Sequence, residues 1–269
     1  MELSNTHLPT WLLALVVIAL WMTLAGGGVL LARPLVEARL GERHHDVIVP
    51  LFTTTATMYA IVVAFMVVVV WQRYADADAS DRQESTVLVT MYRETLSMPS
   101  PLAGHLRGHL RTYSTAVIHQ EWPALAHGNG SQVVQSELDG LYRDYLTGSV
   151  QRTGQSEVYS AFLDNLNRLA ELRANRLLFS RSSLPAILSF GLIIGGVLTI
   201  ANSGLFLMQR RALQVVAAAL MGAMIGLLLF VIMVLNYPYG GDTGLDPTDF
   251  QYAQSVFDVV DAAAATPGG

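Results

Sequence analysis

The chain has 269 residues, of which 52% are hydrophobic and only 14% charged, and it carries a formal net charge of -5. A soluble domain carries about 25% charged residues, so the deficit assigns much of the chain to lipid, and the acidic balance excludes the basic surface that nucleic-acid binding needs. The absence of cysteine excludes disulfides, thiolate metal ligands and cysteine nucleophiles.

Residues 1–8 read as a short N-terminal tail. Trp11 to Leu31 is a charge-free apolar run of the roughly 20 residues that a helix needs to cross a bilayer. Trp11 is placed as an interface anchor, and no Lys or Arg precedes it, which favours an uncleaved membrane helix over a secretory signal. A polar connection, Arg33 to Asp46, leads to a second charge-free run, so residues 9–71 predict a membrane hairpin with helices at 11–31 and 47–71. Residues 72–183 change character. Leu102, Leu106, Leu110, Tyr113 and Val117 recur at helical spacing, as do Val134, Leu138, Leu141 and Tyr145, and then Val158, Phe162, Leu166 and Leu169. These stripes predict amphipathic helices in a small bundle outside the membrane. Residues 184–236 predict a second hairpin, with helices at 184–208 and 212–235 separated by Gln209, Arg210 and Arg211. Gly222 and Gly226 give it a small-xxx-small spacing suited to close helix approach. The acidic remainder, 237–269, ends in AAAATPGG and reads as a partly disordered tail. The expected fold is an all-α integral membrane protein: four transmembrane helices in two hairpins, with a helical bundle between them.

In the second span, Thr53 and Thr57 share a helical face with Ile61, continued by Ala64 and Val68. Repeated around a symmetry axis, such a face would ring a pathway with hydroxyls and then with an apolar constriction. Threonines in membrane helices also bond back to the carbonyl four residues earlier or pack on a neighbour, and on the residues alone that second reading is the commoner. Glu84 and Arg93 lie where helical ion pairs form, and Arg173 and Arg176, on one face nearing the membrane, are candidate partners; a structural role is expected for all four. His44, His45 and Asp46 read as a solvated loop, and Asp242, Asp246 and Asp249 lack the dense alternation of a calcium loop, so no metal and no cofactor is expected. No nucleophile–base constellation or phosphate loop is visible, so no enzymatic activity is expected either. The four spans hold no charged residue, whereas pumps and ion-coupled transporters use buried charges.

Tyr59-Ala60-Ile61-Val62-Val63-Ala64-Phe65, then Trp71-Gln72-Arg73-Tyr74, resemble the bacterial bestrophin-like domain family. So do Glu84, Leu88 and Met91-Tyr92-Arg93, then Tyr113, Glu121-Trp122 and the Arg173/Arg176-Leu177 pair. Leu184-Pro185 and Leu235-Asn236-Tyr237-Pro238-Tyr239-Gly240 complete a resemblance that covers about residues 47–250. Asn236 and Tyr239 depart from it, standing where the family usually has Asp and Phe. The resemblance implies kinship with bestrophins, which are pentameric anion channels with a cytosolic helical domain. Alignment on Trp71 and Tyr74 places their neck constriction at Thr53, Thr57 and Ile61, positions that are bulky and apolar in bestrophins. Their calcium clasp has no counterpart here.

These readings together lead to a homo-oligomer, expected to be a pentamer, in the bilayer of a bacterial inner membrane, with a permeant anion such as chloride and no nucleic-acid partner. Four spans place the bundle and both termini on one side of the membrane. Arginines flank both sides, and the N-terminus, which lacks Lys and Arg, slightly favours the bundle lying outside; the resemblance implies that it is cytoplasmic. Two rival readings stand beside the channel: a stator-type proton-channel subunit, and a non-conducting scaffold or sensor.

Overall fold

No Pro or Gly interrupts the sequence between Trp71 and Glu94, and nothing stops the second membrane helix at the interface. In the computed structural model, which describes residues 9–39, 45–149, 156–181, 183–205, 208 and 210–265, it is one unbroken helix over His45–Glu94. In chain order the elements are α1 (Thr10–Arg39), α2 (His45–Glu94), α3 (Leu102–Ala116), a π-helical turn (Val117–Glu121), α4 (Trp122–Leu125), α5 (Gln132–Ser149), α6 (Ser156–Arg181), α7 (Ala186–Ser203), α8 (Arg211–Leu235) and α9 (Thr248–Ala265). Among the described residues there is no strand, and four helical stretches are long and apolar enough to cross a membrane. The chain is thus the all-α membrane protein that its sequence predicts. It divides into two compact units, Met1–Arg73 with Ser183–Asn236 and Tyr74–Ser182 with Tyr237–Gly269.

In the first unit, α1 lies directly on α8. A β-carbon at Gly222 would overlap the Trp21 backbone and the Ala25 side chain, and one at Gly226 would come within 3.0 Å of Trp21 Cβ. Lipid tails supply no hydrophobic drive between helices, so backbone approach and dense contact replace it. Trp21, Ala25 and Val29 are buried there with Ala218 and Ile225. The second span is seated differently. The Tyr59 ring lies over Gly195 and Gly196 of α7, where a β-carbon on Gly195 would come within 2.7 Å of it, and the Tyr59 hydroxyl donates to the Leu192 carbonyl at 3.1 Å. Leu184 N–H donates to Asn236 Oδ1 at 2.8 Å, joining the entry of α7 to the exit of α8. Asn236 is therefore a fastening within the membrane unit.

The second unit is built on the stripes read from the sequence. Leu88, Met91 and Tyr92 of α2, Leu106, Leu110 and Tyr113 of α3, Val134, Leu138 and Leu141 of α5, and Phe162, Leu166 and Leu169 of α6 share one core. Within the segment expected to be an acidic tail, the described residues 237–265 include a packed helix. Thr248–Ala265 is helical, and Phe250, Ala253 and Phe257 are fully buried in the same core. The acidic composition hid a stripe at i, i+3 and i+7, and each fully buried Phe contributes about 1.5–3 kcal/mol. The acids have uses of their own. Arg111 donates to Asp258 and Asp261 at 2.8 Å each, and Tyr92, stacked on Phe257, donates to Asp261 at 2.7 Å. The run of alanines that read as disordered continues α9 through Ala265, consistent with alanine's high helix propensity.

Candidate functional site

Thr53, Thr57, Ile61, Ala64 and Val68 lie exposed along one side of α2. The other side is covered by α7 and α8: Val63 and Val70 are 3% and 0% exposed, against 52% for Ile61 and 59% for Val68. The predicted face lies within the broader side that the chain's own helices leave open, which also presents Met58, Val62 and Phe65, and no charged side chain interrupts it between Thr53 and Val68. Its hydroxyls are not equivalent. Thr53, Thr54 and Thr55 donate to the carbonyls of Val49, Pro50 and Leu51, each at 2.9 Å, which uses the hydroxyl hydrogen within the helix. Thr55 also accepts from Asn202 Nδ2 at 2.8 Å. Among the described residues the Thr57 hydroxyl has no such partner, so it alone of the four keeps its hydrogen uncommitted.

A second constellation lies in the core of the other unit. Arg176, fully buried on α6, donates from Nη1 to Glu84 Oε2 and from Nη2 to Glu121 Oε1, both at 2.6 Å. Arg173, one turn earlier, donates to Glu121 Oε2 at 2.8 Å and to Gln135 at 2.5 Å. Tyr113 donates to the remaining Glu84 oxygen at 2.7 Å. Glu121 ends the π-helical turn, a local widening that places its carboxylate between the two arginines and is often kept where a side chain must be aimed. Burial pushes the Glu84 carboxyl up against the pull of Arg176. Burial acts on Glu121 as well, but Arg173 and Arg176 outweigh it and hold that carboxyl below its ordinary range. Burial also raises the Tyr113 phenol, helped by the Glu84 charge, so it stays a donor.

Of the four residues expected in ion pairs, the structure brings Glu84, Arg173 and Arg176 together. Arg93 is a correction: it is exposed and makes no ion pair among the described residues, because it lies off the buried stripe of α2. Glu121 is the bridge in its place, and its signal lies in register, since Tyr113, Val117 and Glu121 follow at i, i+4 and i+8 on a buried face. Asp81 continues the buried face of α2 in the same way, with Ala77, Glu84 and Leu88.

No group of three His, Asp or Glu among the described residues is arranged to hold a metal. His44 lies outside the described residues. Asp246 accepts from the backbone and hydroxyl of Thr248, satisfying the first backbone donor of α9, and Asp249 lies 3.9 Å from Arg82.

The sequence matches the family profile of the Bestrophin-like domain over residues 18–250. The fold is similar to that of a bacterial bestrophin homolog from Klebsiella pneumoniae, with a TM-score of 0.69 and 14% identity, over 94% of this chain and 99% of that one. A mutant of that homolog gives a TM-score of 0.72 at 12% identity, over 93% and 98% of the two chains. No curated protein sequence matches the chain. At these identities the structures speak for the fold alone, whereas the profile match extends over most of the sequence: the chain belongs to the Bestrophin-like domain family.

Proposed function

We propose that the protein is a homo-oligomeric, pentameric channel of the bacterial inner membrane that passes anions such as chloride, with α2 lining the pore and the helical unit and both termini on the cytoplasmic side. The one-sided exposure of α2 carries this reading. The broad side of α2 that the chain's own helices leave open holds Thr53, Thr57, Ile61, Ala64 and Val68 along with Met58, Val62 and Phe65, and among the described residues it carries no charge between Thr53 and Val68. Five such helices around an axis would offer a polar stretch and then an apolar constriction, an arrangement that combines permeation with gating. Thr57 would meet an anion with its hydroxyl hydrogen, while Thr53 would offer only lone pairs and a methyl group. Membership of the family supports the same reading.

Purified protein reconstituted in liposomes tests it through chloride efflux. Wild type is expected to conduct, Ile61→Trp to reduce flux about tenfold or more by filling the constriction, and Thr57→Val to reduce it further than Thr53→Val. A folded oligomer that passes no chloride, or flux unaltered by Ile61→Trp, overturns the proposal.

A further inference from the structure

Asp81 is 4% exposed on the buried side of α2. Its own helix places Asp78 and Glu84 near it, α6 brings Arg176, the π-helical turn brings Glu121 beyond Arg176, and residues 237–247 bring Tyr239. The Tyr239 hydroxyl donates to the Asp81 carboxyl, 3.2 and 3.0 Å from its two oxygens. The neighbouring cations are committed elsewhere: Arg176 to Glu84 and Glu121, Arg173 to Glu121 and Gln135, and Arg82 to Asp78 at 2.9 Å. Three buried carboxyls therefore share two guanidiniums, and Asp81 is the one without an ion pair among the described residues. A buried carboxylate lacking a counter-charge is costly, so the charge count by itself calls for a proton on Asp81. Burial, opposed by Arg176, places its pKa at about 8.

The cover over this carboxyl is Tyr239, itself 6% exposed and set edge-on to Trp122 with ring centroids 5.5 Å apart. Tyr239 belongs to a segment without helix between α8 and α9. That segment is folded on itself by Leu245 N–H to Pro238 O at 2.7 Å and Gly240 N–H to Tyr237 O at 3.0 Å, and Trp122 Nε1 donates to Leu245 O at 3.0 Å. We propose that residues 237–247 are held in place by a proton-linked latch, in which Asp81 is the proton-binding group and Tyr239 the side chain that closes over it. The proton is kept while the latch is closed and lost when it opens. Opening therefore becomes up to about tenfold more favourable per pH unit between the ordinary carboxylate range and the closed-state value, and levels off above that. The latch is independent of what α2 conducts.

Hydrogen exchange of the full-length protein in nanodiscs, read at the Gly240 and Leu245 amides and corrected for intrinsic exchange, tests the latch. Wild-type protection is expected to fall about tenfold per pH unit from pH 6 to 8 and then to flatten. Asp81→Asn, which keeps an acceptor for Tyr239 but has no proton to lose, is expected to show no such slope. A flat wild-type profile, or the same slope in Asp81→Asn, overturns the proposal. Should Asp81→Asn not fold, infrared spectra of wild type and Tyr239→Phe decide. A protonated-carboxyl band present at pH 6, lost over the same pH interval and displaced by removal of the Tyr239 hydroxyl, supports the latch; absence of that band, or its indifference to Tyr239→Phe, overturns it.

Discussion

Arg176 has no exposed surface, both of its terminal nitrogens are on carboxylates, and its guanidinium lies 5.1 Å from the centre of the Phe250 ring. Such a group is tolerated because its partners are already in place, and its removal strands them. Arg176→Met would leave Glu84 and half of Glu121 buried without a counter-charge, and is expected to cost about 3–5 kcal/mol. Denaturant unfolding of the purified protein would measure this. A loss below about 1 kcal/mol would mean that the acids relax into water or take up protons. How legible these residues are in the sequence follows from register. Arg173, Arg176 and Glu84 are charges on apolar stripes, which marks them as buried and paired. Arg93 sits at a plausible pairing distance along α2 but off its stripe, and spacing along one helix does not reveal which side is covered.

At the scale of the helix, glycine spacing carries more information than hydropathy. Gly222 and Gly226 identify α8 as a close-packing helix from sequence alone, and Trp21 and Ala25 are the groups they admit. Gly222→Leu is expected to force α1 and α8 apart at a cost of about 1–3 kcal/mol, seen as a lowered melting temperature in detergent. Gly191, where a β-carbon would meet nothing within 4 Å, is the matched control and should tolerate Ala. The seat of Tyr59 on Gly195 and Gly196 is less legible, because periodicity gives the face of a residue but not its partner helix. α9 is missed for a different reason. Its buried positions amount to Phe250, Ala253 and Phe257, too few and too diluted by aspartates to stand out, and they acquire meaning only once Arg111 and Tyr92 supply the counterparts of Asp258 and Asp261.

In the whole molecule neither unit is continuous in sequence, since each is completed by a segment that follows the other. The hairpin pattern is legible from hydropathy, but this interleaving is not, because it depends on pairings far apart along the chain. Removal of residues 248–269 should therefore do more than trim a tail. It takes Phe250, Ala253 and Phe257 out of a core they share with α2 and α3, and limited proteolysis within residues 74–182 is expected to speed up markedly relative to the full chain.

The α1–α8 contact has a consequence for how the protein is made. Trp21 precedes Gly222 by 201 residues, so at ribosomal rates of about 5–20 residues per second the first helix waits roughly 10–40 s before its partner is synthesised. A polar seam on α1 would be exposed to lipid throughout that interval. Along the apolar stretch, the side that later meets α8 presents Ile18, Trp21, Ala25 and Val29, residues that can wait in the bilayer alone, and the polar contact of Arg33 with Gln214 lies beyond the charge-free run, at its end.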